Sequence, residues 1–125
     1  MADRTETPRA ALGRAGEAAA ARYYLDRGCT LLTHHYRTRM GELDLVLREG
    51  ATIVFCEVKT RSPGGWGMPA EAVNAAKRRR LVQAAARYLQ QTGNSDADVR
   101  FDVAEVLRQA NGWQVHCIRG AFMAE

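Results

Sequence analysis

Charged residues inside two apolar segments constrain the fold of this chain more than any other feature. The segment 41–46 reads GELDLV, and the segment 55–61 reads FCEVKTR. Apolar runs of this length between turn residues are typical of strands buried in a sheet. A charge in a buried strand is costly unless it has a partner or a chemical role. Asp44, Glu57 and Lys59 are therefore the first candidates for a functional site.

The alternation of side chains along a strand predicts which way these residues point. In the first segment Leu43, Leu45 and Leu47 fall on one face, which leaves Asp44 on the other. In the second segment Glu57 and Lys59 are two positions apart, so they also share a face. We therefore expect two carboxylates and one amine to converge on one patch of the sheet.

Helical spacing and turn residues predict the remaining elements. Thr7 and Pro8 are typical of a helix N-cap and first helical residue, and Gly28 and Gly93 are typical of helix ends. The first three strands follow one another through short turns, which predicts an antiparallel meander. The order αβββαββ predicts an α/β domain with a central mixed sheet flanked by helices. The predicted helices span 8–27 and 70–91, and the predicted strands span 29–37, 42–48, 52–60, 99–107 and 113–119.

The length of the chain predicts one domain. A chain of 125 residues buries roughly two-thirds of the surface that it exposes when unfolded. We expect a single domain over 1–125, with an ordered core over about 10–120 and a frayed N-terminus over 1–7. The segment 62–69 reads SPGGWGMP, and its glycines and prolines predict a loop next to the candidate site.

The charge of the chain favours an anionic partner. The net charge is +4 and the pI is about 9.3, and basic residues cluster around the acidic strands and at the start of the second helix. That pattern suits a nucleic acid held over a metal, although the run at 77–80 read alone is also typical of a solvated surface. The absence of a targeting signal or a membrane-spanning run predicts a cytoplasmic protein that does not bind membranes. The predicted nucleic-acid contacts are Arg37, Arg39, Arg61, Lys77, Arg78 and Arg80.

The three cysteines are predicted to be buried free thiols within strands, because they are odd in number and widely spaced. A zinc site is the alternative, but no Cys-x2-Cys or His-x3-His spacing supports it. The residues that such a site would use are Cys29, His34, His35, His116 and Cys117, and the third thiol is Cys56.

Hydrolysis of a phosphodiester requires a neutralised phosphate and an activated water, and Mg²⁺ held by carboxylates supplies both. Asp44 and Glu57 provide two ligands on adjacent strands, and the carbonyl of Val58 provides another. Lys59 is placed to contact the attacking water or the charge that develops on the phosphate. Glu17 lies on a stripe of small residues in the first helix, so it can approach the sheet and complete the ligand shell. A salt bridge between the lysine and either carboxylate is the structural alternative.

Two further acidic residues have structural interpretations. Glu42 lies on the predicted face of Asp44, yet it also sits at the mouth of a turn, where an exposed Glu is ordinary. Asp102 lies two positions from Arg100, which favours an ion pair that supports the sheet over a metal ligand.

The residues and their order resemble those of the restriction-endonuclease-like nucleases, whose signature is an Asp followed by Asp/Glu-x-Lys. Archaeal Holliday-junction resolvases belong to that group and also carry a Glu on the first helix. The chain is still more similar to the YraN family of small bacterial proteins. The similarity covers about 13–113 and rests on Gly16-Glu17, Ala20, GELDL at 41–45, FCEVKTR at 55–61, Lys77, Arg80-Leu81 and RFDV at 100–103.

This resemblance implies an αβββαβ nuclease core, a Mg²⁺ or Mn²⁺ cofactor and a nucleic-acid substrate. It assigns metal binding to Asp44 and Glu57 and a catalytic role to Lys59. One departure is Leu43, where many members of the larger group have Pro. The expected activity is cleavage of DNA, with branched or structured DNA favoured, by an enzyme that could form a two-fold homodimer. A nuclease-fold module that binds nucleic acid or a partner without cutting, and an RNA-processing nuclease, are the alternatives.

Overall fold

The computed structural model describes residues 6–61 and 74–124 of the chain. The predicted loop at 62–69 and the predicted helical residues 70–73 lie outside the described residues. Neither described helix is both long and apolar enough to cross a bilayer. The helices are α1 (Pro8–Leu25) and α2 (Ala75–Gln91), and the strands are β1 (Thr30–Arg37), β2 (Glu42–Glu49), β3 (Thr52–Arg61), β4 (Asp98–Gln109) and β5 (Gly112–Phe122).

The five strands form one mixed sheet in the order β1-β2-β3-β4-β5. Strands β3 and β4 are parallel, and every other neighbouring pair is antiparallel. Because a parallel pair needs a crossover, the chain between β3 and β4 contains α2. The meander, the mixed sheet and the αβββαβ core of the restriction-endonuclease-like fold are confirmed.

Helix α1 begins as predicted and ends earlier than predicted. The Thr7 hydroxyl accepts a hydrogen bond from the Ala10 N–H at 3.0 Å, and Pro8 is the first helical residue. The helix ends at Leu25, three residues before Gly28, which has a φ of 85°. Cys29 is therefore buried just before β1, so its predicted place within a strand is wrong.

The other two thiols lie within strands as predicted. Cys56 in β3 is buried, and Cys117 in β5 is half-buried, so full burial is wrong for Cys117. Strand β5 is the edge of the sheet, which leaves its side chains less covered than those of β3.

Each helix covers one face of the sheet. Helix α2 packs a stripe of Leu81, Ala84, Ala85 and Tyr88 against one apolar cluster, as its periodicity predicts. The ring of Tyr88 contacts Phe55 edge-on at 5.9 Å between centroids. Helix α1 packs on the opposite face, where it buries Ala20 and Tyr24 against a second cluster. That cluster includes Leu45, Leu47, Val54, Cys56, Val58, Ala104 and Val106.

The alternation of β2 is interrupted at its N-terminal end. Leu45 and Leu47 pack under α1, whereas Leu43 packs with the cluster under α2, so the predicted common face is wrong for Leu43. Opposite this point in β1 is His35, whose φ of 51° is unusual for a residue other than glycine. The pleat of both strands is therefore irregular where β2 carries Asp44.

A glycine lets α1 approach the sheet closely. A Cβ added to Gly16 would lie 2.0 Å from the Thr60 Oγ1 and 2.8 Å from the Thr60 Cβ. Gly13, one turn earlier, would meet nothing within 4 Å. The close approach of α1 to β3 therefore depends on Gly16, and it brings the neighbouring Glu17 to the end of β3.

Gly16→Ala is expected to lower the free energy of unfolding by about 3 kcal/mol, because α1 must move away from β3 to admit the methyl group. Gly13→Ala is the matched control and is expected to raise it by about 1 kcal/mol, since alanine is the better helix former. Urea denaturation followed by circular dichroism measures both. Equal effects of the two substitutions would contradict the close packing at Gly16.

Candidate active site

Two carboxylates meet where β2 and β3 stop pairing. The backbone ladder between these strands runs from Glu49 and Thr52 to Leu45 and Cys56. Beyond it the Val58 N–H donates to the Asp44 Oδ2 at 2.9 Å. The N–H and the carbonyl of one strand residue point to the same side, so the Val58 carbonyl also faces β2.

The contact between Asp44 and Glu57 raises a pKa. Glu57 is only 8% exposed, and Asp44 is half-buried. Burial, together with the nearby charge of Glu57, raises the pKa of Asp44 to about 8, against the opposing effect of the Val58 N–H. Asp44 therefore retains a proton at neutral pH. The structure therefore brings together the two carboxylates that the sequence predicts to converge.

The cation on Glu57 is Lys77 of α2. Its Nζ lies 2.8 Å from the Glu57 Oε1. Although burial lowers the pKa of Lys77, the hydrogen bond and charge of Glu57 outweigh it, so the pKa is raised. Burial and the charge of Lys77 lower the pKa of Lys59. The sequence suggested a salt bridge between Lys59 and a carboxylate, and suggested Lys77 only as a phosphate contact. In the structure it is Lys77 that makes the salt bridge to Glu57.

Glu17 and Glu42 are joined by a histidine. His35 contacts Glu17 through Nε2, and its Nδ1 lies 2.9 Å from the Glu42 Oε1. The hydrogen bond to Glu42 is the main reason that the pKa of His35 is raised. Burial raises the pKa of Glu17 despite the charge of His35. Sequence reasoning considered His35 only for the zinc alternative, and no motif marks it as the link between α1 and β2.

Within the described part of the chain, no three side chains of His, Cys, Asp or Glu lie together as a metal site. The zinc alternative therefore has no support: the Cys29 thiol is 3.7 Å from Glu49, and Cys117 contacts Tyr24. The smaller set of Asp44, Glu57 and the Val58 carbonyl does fit Mg²⁺ or Mn²⁺. Two carboxyls in contact, one buried and one half-buried, offer hard oxygen donors, and their mutual repulsion favours a cation between them.

The basic residues predicted to contact nucleic acid lie at several places. Arg37 is 80% exposed, and its Nε is 3.2 Å from the Glu42 Oε2. Arg39 and Arg80 are exposed, and the backbone of Arg80 lies beside Gly41. Arg78 lies on the other flank of α2, with its guanidinium 5.5 Å from the Phe122 ring centroid. Arg61 is half-buried at the end of β3, and its Nε has no hydrogen-bond partner among the described residues.

Asp102 supports the sheet, as its sequence context favours. It is fully buried and accepts hydrogen bonds from the Tyr24 hydroxyl at 2.6 Å and the Arg100 Nε at 2.9 Å. The Gly120 N–H also donates, at 2.9 Å, to the same Oδ1 that accepts from the Arg100 Nε. Asp102 and its partners therefore join α1, β4 and β5. The predicted ion pair between Asp102 and Arg100 is confirmed.

The fold and the acidic pair define the class of protein. A mixed sheet with an αβββαβ core, carrying Asp44 on the second strand and Glu57-Val58-Lys59 on the third, has the restriction-endonuclease-like architecture. Residues 16–106 match the model of a family described as "Uncharacterised protein family UPF0102". The chain belongs to this family, which is the YraN family indicated by the sequence.

Relatives from distant bacteria share nearly the full length of the chain. A UPF0102 protein of Frankia alni is 49% identical over 113 residues, which are 90% of this chain and 94% of that protein. One of Symbiobacterium thermophilum is 43% identical and covers 90% of this chain and 97% of its own. One of Desulforapulum autotrophicum is 38% identical and covers 96% and 99%.

The raised pKa of Asp44 predicts how stability depends on pH. The folded protein holds a proton that the unfolded chain has lost above about pH 4, so the stabilisation is complete below that pH and declines as the pH rises to about 8. In metal-free buffer we expect Asp44→Asn to become more stable than the wild type over this range, by up to about 1.4 kcal/mol per pH unit. The Asn amide oxygen can still accept from Val58.

Chemical denaturation at several pH values in the presence of a chelator measures this difference. Asp96→Asn is the matched control, since Asp96 is exposed after α2 and its substitution should leave the pH profile unchanged. Parallel profiles for Asp44→Asn and the wild type would contradict a retained proton at the carboxylate pair.

Proposed function

We propose that this protein is a metal-dependent endonuclease that hydrolyses phosphodiester bonds in DNA, with branched or structured DNA as the favoured substrate. The observation that carries the proposal is the contact between Asp44 and Glu57 at the end of the β2–β3 ladder. Two acidic side chains held in contact are a poor device for stability because like charges repel, whereas divalent-metal phosphodiesterases hold their ions between carboxylates. We also propose that the protein acts in the cytoplasm.

Mg²⁺ or Mn²⁺ would be held by Asp44, Glu57 and the carbonyl of Val58. Glu17 could complete the shell through water, because its charge acts on Asp44 across the gap between α1 and β2. When bound, the ion would neutralise the phosphate and lower the pKa of a water nucleophile. The remaining functions belong to the side chains around it.

Lys59 is the proposed catalytic amine. Its lowered pKa makes the ammonium a better proton donor and hydrogen-bond donor than an exposed lysine. It lies on the same strand as Glu57, and with Glu17, Val58 and Thr60 it lines a cleft of about 550 Å³ between α1 and β3. We infer that Lys59 orients the attacking water or stabilises charge on the phosphate, while Lys77 holds the Glu57 carboxylate in place.

The activity is tested with Holliday-junction, flap, nicked and linear DNA, and with RNA of the same sequence, in Mg²⁺ and Mn²⁺. Asp44→Asn, Glu57→Gln and Lys59→Met are each expected to lower the cleavage rate at least about 100-fold, since each removes a ligand or a proton-transfer group. Gel electrophoresis of end-labelled substrates measures the rate and locates the cut.

The control is Asp96→Asn, which makes the same chemical change on an exposed residue and should cleave at the wild-type rate. Cleavage that survives in both Asp44→Asn and Lys59→Met would contradict the proposal. Binding of DNA without cleavage of any substrate would instead favour a non-cleaving module, and faster cleavage of RNA would reassign the substrate.

A further inference from the structure

A basic groove runs along the second half of α2. It has a volume of about 820 Å³ and lies between the second half of α2 and the turn that joins β1 to β2. We call it the arginine groove. The residues that characterise it are Tyr36, Arg37 and Arg39 on one wall and Gln83, Arg87 and Gln90 on the other.

The groove carries positive charge that is available to a ligand. Arg39 and Arg87 are exposed and form no ion pair with the described residues. Arg37 shares only its Nε with Glu42. None of the described residues that line the groove is acidic. Such a surface attracts a polyanion, and guanidinium groups suit phosphate because they can donate two parallel hydrogen bonds.

The walls of the groove are held in place by contacts of their own. The Thr38 hydroxyl accepts from the Met40 N–H at 3.0 Å and from the Gly41 N–H at 3.1 Å, which fixes the turn that presents Arg39. The Tyr36 hydroxyl donates to the side chain of Gln91, and this contact ties the end of β1 to the end of α2. A ligand would therefore meet a groove that is already formed.

The groove leads to the carboxylate pair. Along one flank of α2 lie Lys77, whose Nζ contacts Glu57, then Arg80 beside Gly41, and then Arg87 in the groove. Ten helical residues separate Lys77 from Arg87, which is about 15 Å. One strand of a duplex places a phosphate about every 3.4 Å along its axis, so this flank spans roughly four nucleotides.

We propose that the arginine groove binds the sugar–phosphate backbone of the nucleic-acid strand whose scissile phosphate reaches Asp44 and Glu57. Arg39 and Arg87 contact phosphates on opposite walls, and the glutamines contact sugars or base edges. Arg78 lies on the far flank of α2 and takes no part in this path. The direction in which the strand runs along the groove rests on the proposed function, because the acidic pair marks the end at which the strand is cut.

Binding without cleavage tests the groove. Fluorescence anisotropy in a chelator is measured with labelled single-stranded DNA, duplex DNA and RNA of about 20 nucleotides. Arg39→Gln with Arg87→Gln is expected to weaken binding at least tenfold and to reduce the slope of log K against log salt concentration by about 1.4 to 1.8. Arg39→Lys with Arg87→Lys keeps the charge and should restore most of that slope.

The matched control is Arg27→Gln with Arg108→Gln, which removes two exposed cations from other parts of the surface. It is expected to change affinity less than twofold, and circular dichroism verifies that every variant is folded. The proposal is overturned if both double variants lose affinity equally, or if the wild type binds none of the three probes. Groove-dependent binding by a protein that never cleaves would contradict the proposed nuclease activity alone.

Discussion

The hydrogen bond from the Val58 N–H to the Asp44 carboxylate is the contact on which the site depends. It takes the place of a backbone rung at the point where the β2–β3 ladder ends. A buried N–H must find an acceptor, so the backbone of β3 itself fixes the position of Asp44. This brings the carboxylate against Glu57, and burial together with the charge of Glu57 raises the pKa of Asp44, so that Asp44 keeps a proton at neutral pH.

Other costly features lie at the same end of the sheet. His35 has a positive φ, and Leu43 leaves the face of its neighbouring leucines. Elsewhere, Gly16 seats α1 on β3, and the buried Asp102 accepts hydrogen bonds from Tyr24, Arg100 and Gly120. Backbone strain beside two carboxylates in contact is typical of functional sites.

Local periodicity predicted the order of the helices and strands, and the family resemblance implied the αβββαβ nuclease core. Strand alternation alone indicated that Asp44 would meet Glu57. It could not place Lys77 on Glu57, because that contact depends on how α2 docks against the sheet. It also missed the role of His35, and it misplaced Leu43, because a local break in the pleat leaves no mark in the pattern of apolar residues. The positions of Lys77, His35 and Leu43 thus depend on helix packing and on backbone irregularity, which the periodicity of the sequence does not show.

We predict that Asp44 holds a proton in the metal-free protein and releases it when Asp44 and Glu57 bind a divalent cation. Calorimetric titration with Mn²⁺ at pH 7, in two buffers of different ionisation enthalpy, measures both the binding and the proton release. We predict one site, release of about one proton for each ion bound, and loss of binding in Asp44→Asn and Glu57→Gln but not in Asp96→Asn. Absence of Mn²⁺ binding by the wild type, or equal affinity in Asp44→Asn, would rule out a metal site at Asp44 and Glu57.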